Sequence, residues 1–356
     1  MPSRTPHVSA GLREFSAPTF ALAIALALSF PRTASAGSDP VTGQAYPEVF
    51  NVATFASATA TAIPIQNGYF DNLVPGVKTN VLVLGSGRHV NEAFASGAVD
   101  VGTLGSSPVS LGVSNGLGYE VIFINDVIGA AESLAASERS GIRSVIDLKG
   151  KKVAAPFLST AHYSLLAALR MAGVDPAEVT LIDLQPQDMP AAWRRGDIDA
   201  AYVWTPFLEE LLQDGGVTVT DSLRLSELGA LTADVSVVNK DFAARYPTLV
   251  TAYVKALVRT NELINASPDL AAATIARSLD GDALAALAQL VGNRYLRGAE
   301  QLTHRYLGAD GEPGEFAQTL KSTADFNVRQ RALDRAGDLS LYQAAVNSGF
   351  LEEALK

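Results

Sequence analysis

The stretch Ala192-Trp193-Arg194-Arg195-Gly196-Asp197-Ile198-Asp199-Ala200-Ala201-Tyr202-Val203-Trp204-Thr205-Pro206 has a counterpart 99 residues earlier. The earlier copy reads Ala93-Phe94-Ala95-Ser96-Gly97-Ala98-Val99-Asp100-Val101-Gly102-Thr103-Leu104-Gly105-Ser106-Ser107-Pro108. In both, a small residue and an aromatic end a helix, and a glycine takes the left-handed position that stops it. An apolar-Asp-small step follows, and a short strand runs into a polar loop. The likeness extends backwards, from Val81-Leu82-Val83-Leu84 to Val179-Thr180-Leu181-Ile182-Asp183-Leu184. Two similar βαβ units predict two similar lobes, with strand-end loops facing each other across a ligand.

Strand patterns at Val49–Phe55, 121–124 and 151–155 alternate with helical ones at 89–96 and 164–171. Such alternation specifies an α/β chain with mostly parallel sheets flanked by helices. From Pro247 onward the pattern is almost all helical, with 308–314 the one marked loop. The expected organisation is a first lobe over 37–130, a second over 131–232, and a return to the first over 233–356. Two hinge crossings, near 129–136 and 229–237, let the lobes close with little torsion at any one residue. Independent domains in series would leave the helical tail with no sheet to cover.

Residues 1–36 read as a signal peptide. Arg4 and Arg13 form a basic start, 17–30 is a short apolar run, and Ala34-Ser35-Ala36 is a small-x-small cleavage site. Removing them takes away three arginines and one glutamate, and the net charge moves from −10 to −12. An acidic chain without a basic patch argues against nucleic acid or anionic lipid as partner. The sequence has no cysteine, which excludes disulfides, a thiol nucleophile, Cys-ligated zinc and a lipidated N-terminal Cys. The expected form is a monomer free in the periplasm and not a lipoprotein.

The most informative short stretch is Pro156-Phe157-Leu158-Ser159-Thr160-Ala161-His162-Tyr163-Ser164. Ser159 or Thr160 should cap the following helix, whose free amides then point into the cleft as a site for a tetrahedral oxyanion. Ser106 and Ser107, and Ser57 or Thr59, offer the same chemistry from the other lobe, although any one of them could merely cap a helix. Recognition by amides and hydroxyls rather than Arg or Lys suits an anion ionised at every physiological pH, such as a sulfonate or sulfate. Trp204 and Tyr163 are candidate pocket walls for an ammonium. Asp126, Glu132 and Asp234 lie near the crossings, where they could pair a cationic tail. Asp100 and Asp199, repeated in register, read as turn-stabilising, and Trp193 as core. His162 has no nucleophile beside it in sequence. No metal-binding His pattern, Gly-x-Ser-x-Gly elbow, Walker loop or dinucleotide fingerprint occurs, so neither cofactor nor metal is expected and catalysis has little support.

The chain resembles the taurine and aliphatic-sulfonate binding proteins of ABC importers. The residues carrying the resemblance are 104–108, 156–169 and 191–204, with weaker echoes at 131–134 and 239–243. It implies the two-lobed, type II-like periplasmic binding fold, and an ABC permease at the inner membrane as partner. It also implies a sulfonate near Ser106, Ser107, Ser159 and Thr160, with His162, Tyr163 and Trp204 lining the pocket and Asp234 facing an amine. Two positions depart from the family pattern. Phe55-Ala56 stands where Tyr-Gln is common, and Ser236 where a Trp often follows the acidic residue of the return crossing. A pocket with those changes is expected to take a different or larger sulfonate, or a sulfonate-like organosulfur compound. The alternatives are a periplasmic sensor for a related organosulfur compound, or an enzyme on the same fold. The hydrolytic relatives use a cysteine that this chain lacks.

Overall fold

The computed structural model describes residues 37–55, 61–71, 73–278 and 283–356. Residues 1–36, expected from the sequence to be a signal peptide, and Ala56, Ser57 and Thr59 lie outside the described residues.

The chain opens with β1 (Val49–Phe55), α1 (Ala62–Gln66), β2 (Lys78–Leu84), α2 (Gly87–Ala95), β3 (Val101–Gly105), α3 (Ser106–Ser114) and β4 (Tyr119–Val127). It then crosses into β5 (Glu132–Ser137), β6 (Lys152–Ala155), α4 (Thr160–Met171), β7 (Thr180–Asp183), α5 (Met189–Arg195), β8 (Ala200–Trp204), α6 (Phe207–Gln213), β9 (Gly216–Asp221) and α7 (Ser222–Glu227). It returns through β10 (Ala233–Asn239), followed by α8 (Lys240–Arg245), α9 (Pro247–Ala266), α10 (Pro268–Ser278), α11 (Ala283–Val291) and α12 (Gly298–Gln301). The small hairpin β11 (Gly308–Ala309) and β12 (Glu312–Pro313) stands where the sequence suggests a plain loop. Then come α13 (Phe316–Arg329), α14 (Leu339–Gln343) and α15 (Gly349–Ala354).

Two five-stranded sheets result, ordered β2-β1-β3-β10-β4 and β7-β6-β8-β5-β9. They correspond strand for strand. In each, three parallel strands are followed by one antiparallel strand, β10 or β5, inserted before the last. The repeated aspartates explain the likeness at the atomic level. Asp100 Oδ2 accepts the amide N–H of Asn51 at 2.8 Å, and Asp199 Oδ2 accepts that of Lys152 at 2.8 Å. Each aspartate thus ties the helix-to-strand turn to the second strand of its sheet, β1 or β6. The glycines before them, Gly97 and Gly196, hold φ of 73° and 76°, where a Cβ would be strained. Both aspartates are structural.

Both faces of the second sheet are covered, and its period of two separates the faces. Leu134, Ala136, Val153, Ala155, Ala200 and Tyr202 pack with α4 residues such as Leu165 and Leu169. Ala135, Ala154, Ala201 and Val203 pack with Trp193, Leu208 and Leu211. In the first lobe β4 is buried along nearly its whole length, and α9, α13 and α15 join its core. The tail therefore covers the first sheet. It also braces the crossing: Ala131 N–H donates to Gly292 O at 3.3 Å, and a Cβ on Gly129 would lie 2.1 Å from that oxygen. The crossings are shorter than the sequence suggests, because β5 already starts at Glu132 and β10 at Ala233.

Removing the Asp199 carboxylate frees a backbone donor at the start of β6. Asp199→Ala should lower stability by about 1–2 kcal/mol, the usual cost of such a bond. Urea unfolding checks it, with ligand affinity unchanged in the folded protein.

Candidate ligand-binding site

The strand ends of both sheets meet at one cavity, lined by Gly87, Gly105, Pro108, Ile128, Ala131, Glu132, Ser159, Thr160, Trp204, Asp234, Gln289 and Asn293. The sheet correspondence governs its two acids. Asp234, second in β10, lies opposite Gly105 at the end of β3, and Glu132 begins β5 opposite Trp204 at the end of β8. One carboxylate therefore enters from each lobe, each just after a crossing. The lobes approach closely here: a Cβ on Gly105 would lie 2.6 Å from Thr160 Cγ2. Only glycine leaves that space.

Glu132 is fixed by hydroxyls. Thr160 Oγ1 donates to its Oε2 at 2.5 Å, and Ser222 Oγ to its Oε1 at 2.8 Å, with Ser164 Oγ at 3.5 Å. Burial pushes its carboxyl up to about 7 against these favourable bonds. Asp234 is also pushed up to about 7, by burial and then by the charge of Glu132. Asp126, next to Asp234 across β4 and β10, stands behind the lining. Asn293 Nδ2 donates to its Oδ1 at 2.9 Å, while its buried Oδ2 has no partner. Burial, then Asp234 and Glu132, holds it well above the usual carboxylate range. Among the described residues no Lys, Arg or His pairs with any of the three.

Two helix starts face the same cavity. Gly105 is the N-cap of α3 and Ser159 that of α4. Ser159 Oγ accepts from His162 N–H at 3.2 Å, so the first-turn amides of Thr160 and Ala161 have no acceptor within the helix. Ser106 and Ser107 open α3 and are buried. Ser106 Oγ accepts from Ala233 N–H at 3.3 Å. The cavity thus joins amide-rich helix ends, favourable to an anion, to carboxylates without a cation.

Two expected wall residues stand outside the lining. The His162 ring stacks on Phe157 with centroids 4.3 Å apart, and burial lowers its pKa to about 4. Tyr163 packs edge-on against Phe326 of α13 at 4.9 Å. The sequence suggests a helix from Ser164, but α4 starts at Thr160. Thr160 and Ser164 then share the face toward Glu132, while His162 lies about 200° round from Thr160. Leu158 holds φ of 67° in the preceding turn, a left-handed conformation costly for a leucine. That turn is tied across the cleft by Arg88, whose Nη2 donates to Phe157 O and to Asp183, each at 3.2 Å.

Residues 58–271 match the family described as NMT1/THI5 like. The chain belongs to that family. It is 44% identical over 185 residues to the taurine-binding periplasmic protein of Escherichia coli (strain K12), over 52% of this chain and 57% of that protein. The chain thus spans little more than half the length of that relative. The alkanesulfonate-binding protein SsuA from Xanthomonas axonopodis pv. citri, bound to MOPS, has the same fold. Its TM-score is 0.70 at 21% identity, over 85% of this chain and 99% of that one. The desulfurization enzyme DSZB also shares the fold, with a TM-score of 0.61 at 18% identity, over 87% and 99% of the two chains.

Within this NMT1/THI5-like chain, Gln289 and Asn293 are lining residues that sequence reasoning missed. They come from α11 and the turn after it, where an amide in an Ala-rich helical stretch carries no mark. Gln289 Nε2 donates to Thr205 O at 3.4 Å, and Asn293 Oδ1 accepts from Gly129 N–H at 3.0 Å. Both brace the lobes where the chain crosses. The departure at Ser236 lies outside the cavity lining. Ser236 is buried in the core and donates to Asn125 Oδ1 at 3.0 Å.

The raised carboxyls set a sign for stability. Between the unfolded carboxyl pKa near 4 and the folded value of about 7, the folded protein holds more protons than the unfolded one. The stability from these groups is complete below that window and lost as pH rises through it. Unliganded protein should therefore melt lower at pH 7.5 than at pH 5.5, and Glu132→Gln should flatten the profile. Calorimetric melting across that range checks it.

Proposed function

We propose that this chain is a periplasmic binding protein that grips an aminosulfonate, most simply taurine, between its lobes and delivers it to an ABC permease. The carrying observation is the cavity that sets two helix N-termini beside two buried carboxylates with no protein cation among them. A zwitterion with an anionic head and an ammonium tail satisfies both ends. The sulfonate takes the free amides of α3 and α4, with Ser106 and Ser107 beside it. The ammonium lies between Glu132 and Asp234, and Trp204 supplies wall area and a π face. The 44% identity to a taurine-binding protein supports the same ligand. The likeness to a desulfurization enzyme is one of fold alone, and function resides in sites rather than folds. An N-terminal leader and a periplasmic location belong to this reading.

The hydroxyl of Thr160 donates to Glu132, so its role is at the ammonium end. Thr160→Ala should weaken taurine by about 1–3 kcal/mol and an uncharged-tail sulfonate less. Asp234→Asn should lower taurine affinity and spare ethanesulfonate, whereas Trp204→Ala should weaken both. Titration calorimetry of the two ligands checks all three. An unchanged taurine-to-ethanesulfonate ratio in Asp234→Asn would remove the amine and leave a plain alkanesulfonate.

A further inference from the structure

Burying a carboxylate is costly unless a counter-charge or a proton neutralises it. The cleft holds Glu132, Asp234 and Asp126, exposed by only 2%, 9% and 0%. The groups facing them come from every neighbouring element. Thr160 and Ser164 of α4 and Ser222 of α7 bond Glu132. Tyr202 of β8 bonds Ser222 and feels Glu132 and, more weakly, Asp221. Asn293 bonds Asp126, and Tyr295 faces both Asp126 and Asp234. All are hydroxyls, amides or acids, and none can supply a positive charge at any pH. The Asp126 Oδ2 atom, fully enclosed and without a hydrogen-bond partner, marks where compensation is lacking. Arg88, the cation nearest in sequence to the lining residue Gly87, is committed to Asp183.

Resting on the functional reading above, we infer that the cleft exchanges protons held on its Glu132–Asp234–Asp126 cluster for the ammonium of its ligand. With the cleft free of ligand, protons neutralise the cluster. An ammonium entering between Glu132 and Asp234 takes over that role, the carboxyls ionise, and their protons pass to bulk buffer. A sulfonate without an amine offers no such replacement, and its own negative charge favours the protonated cluster. The two ligand classes are therefore linked to pH with opposite signs. The raised carboxyls of Glu132 and Asp234, both about 7, place the exchange in the neutral range. Capture of the amine-bearing ligand then strengthens as external pH rises, until the ammonium itself titrates.

The test is titration calorimetry of the wild-type chain with taurine and with ethanesulfonate, in phosphate and in Tris at pH 7. The dependence of heat on buffer ionisation enthalpy counts the protons. Taurine should release at least about half a proton, and its affinity should rise roughly tenfold between pH 5.5 and 7.5. Ethanesulfonate should release none, and its affinity should hold or fall over the same range. Glu132→Gln should lower the number released with taurine. Taurine that binds with buffer-independent heat and a flat pH profile overturns the exchange while leaving the binding function intact. Failure of both ligands to bind overturns the function and the exchange together.

Discussion

Two carboxylates near the starts of equivalent strands of two sheets must share one buried place, and much of this molecule follows from that constraint. Glu132 and Asp234 meet because β5 and β10 are each inserted antiparallel before the last strand of their sheets. Each follows a crossing immediately, so relative motion of the lobes changes the distance between like charges. Water, protons or a ligand cation must answer those charges. The hydroxyls of Thr160, Ser164 and Ser222 hold Glu132 in place without neutralising it. The site is thus ordered before the ligand arrives, yet incomplete in charge.

The opposite pole is built from backbone. Helix ends at α3 and α4 present amides whose positive potential neither titrates nor needs a side chain to be held in position. On the proposed reading, this is how an acidic chain holds an anion without a basic pocket. The arginine at the cleft mouth, Arg88, is used instead to join α2 to the turn before α4 through Asp183 and Phe157 O. It is a contact between lobes, half-exposed and therefore weak by itself.

The fold was legible because its repeat is written in local chemistry. A glycine at positive φ and an aspartate that captures a strand amide recur at Gly97–Asp100 and Gly196–Asp199, and neither depends on long-range packing. The positions of the acids near the crossings were legible from the strand pattern that locates those crossings. The faces of α4 were not. Starting the helix at Ser164 rather than Thr160 left Tyr163 in a loop and read it as a pocket wall, whereas a helix from Thr160 directs it to Phe326 and His162 to Phe157. Gln289 and Asn293 reach the cavity only because the tail folds back against Gly129 and Ala131. A contact made across such a span of chain leaves no periodic trace in sequence.

A crystal structure of the chain grown with taurine reads the orientation of a zwitterion between the two poles. Sulfonate oxygens should lie against the first-turn amides of α3 and α4, with the nitrogen between Glu132 and Asp234. A taurine lying the other way round, or bound outside the cleft, would contradict that orientation.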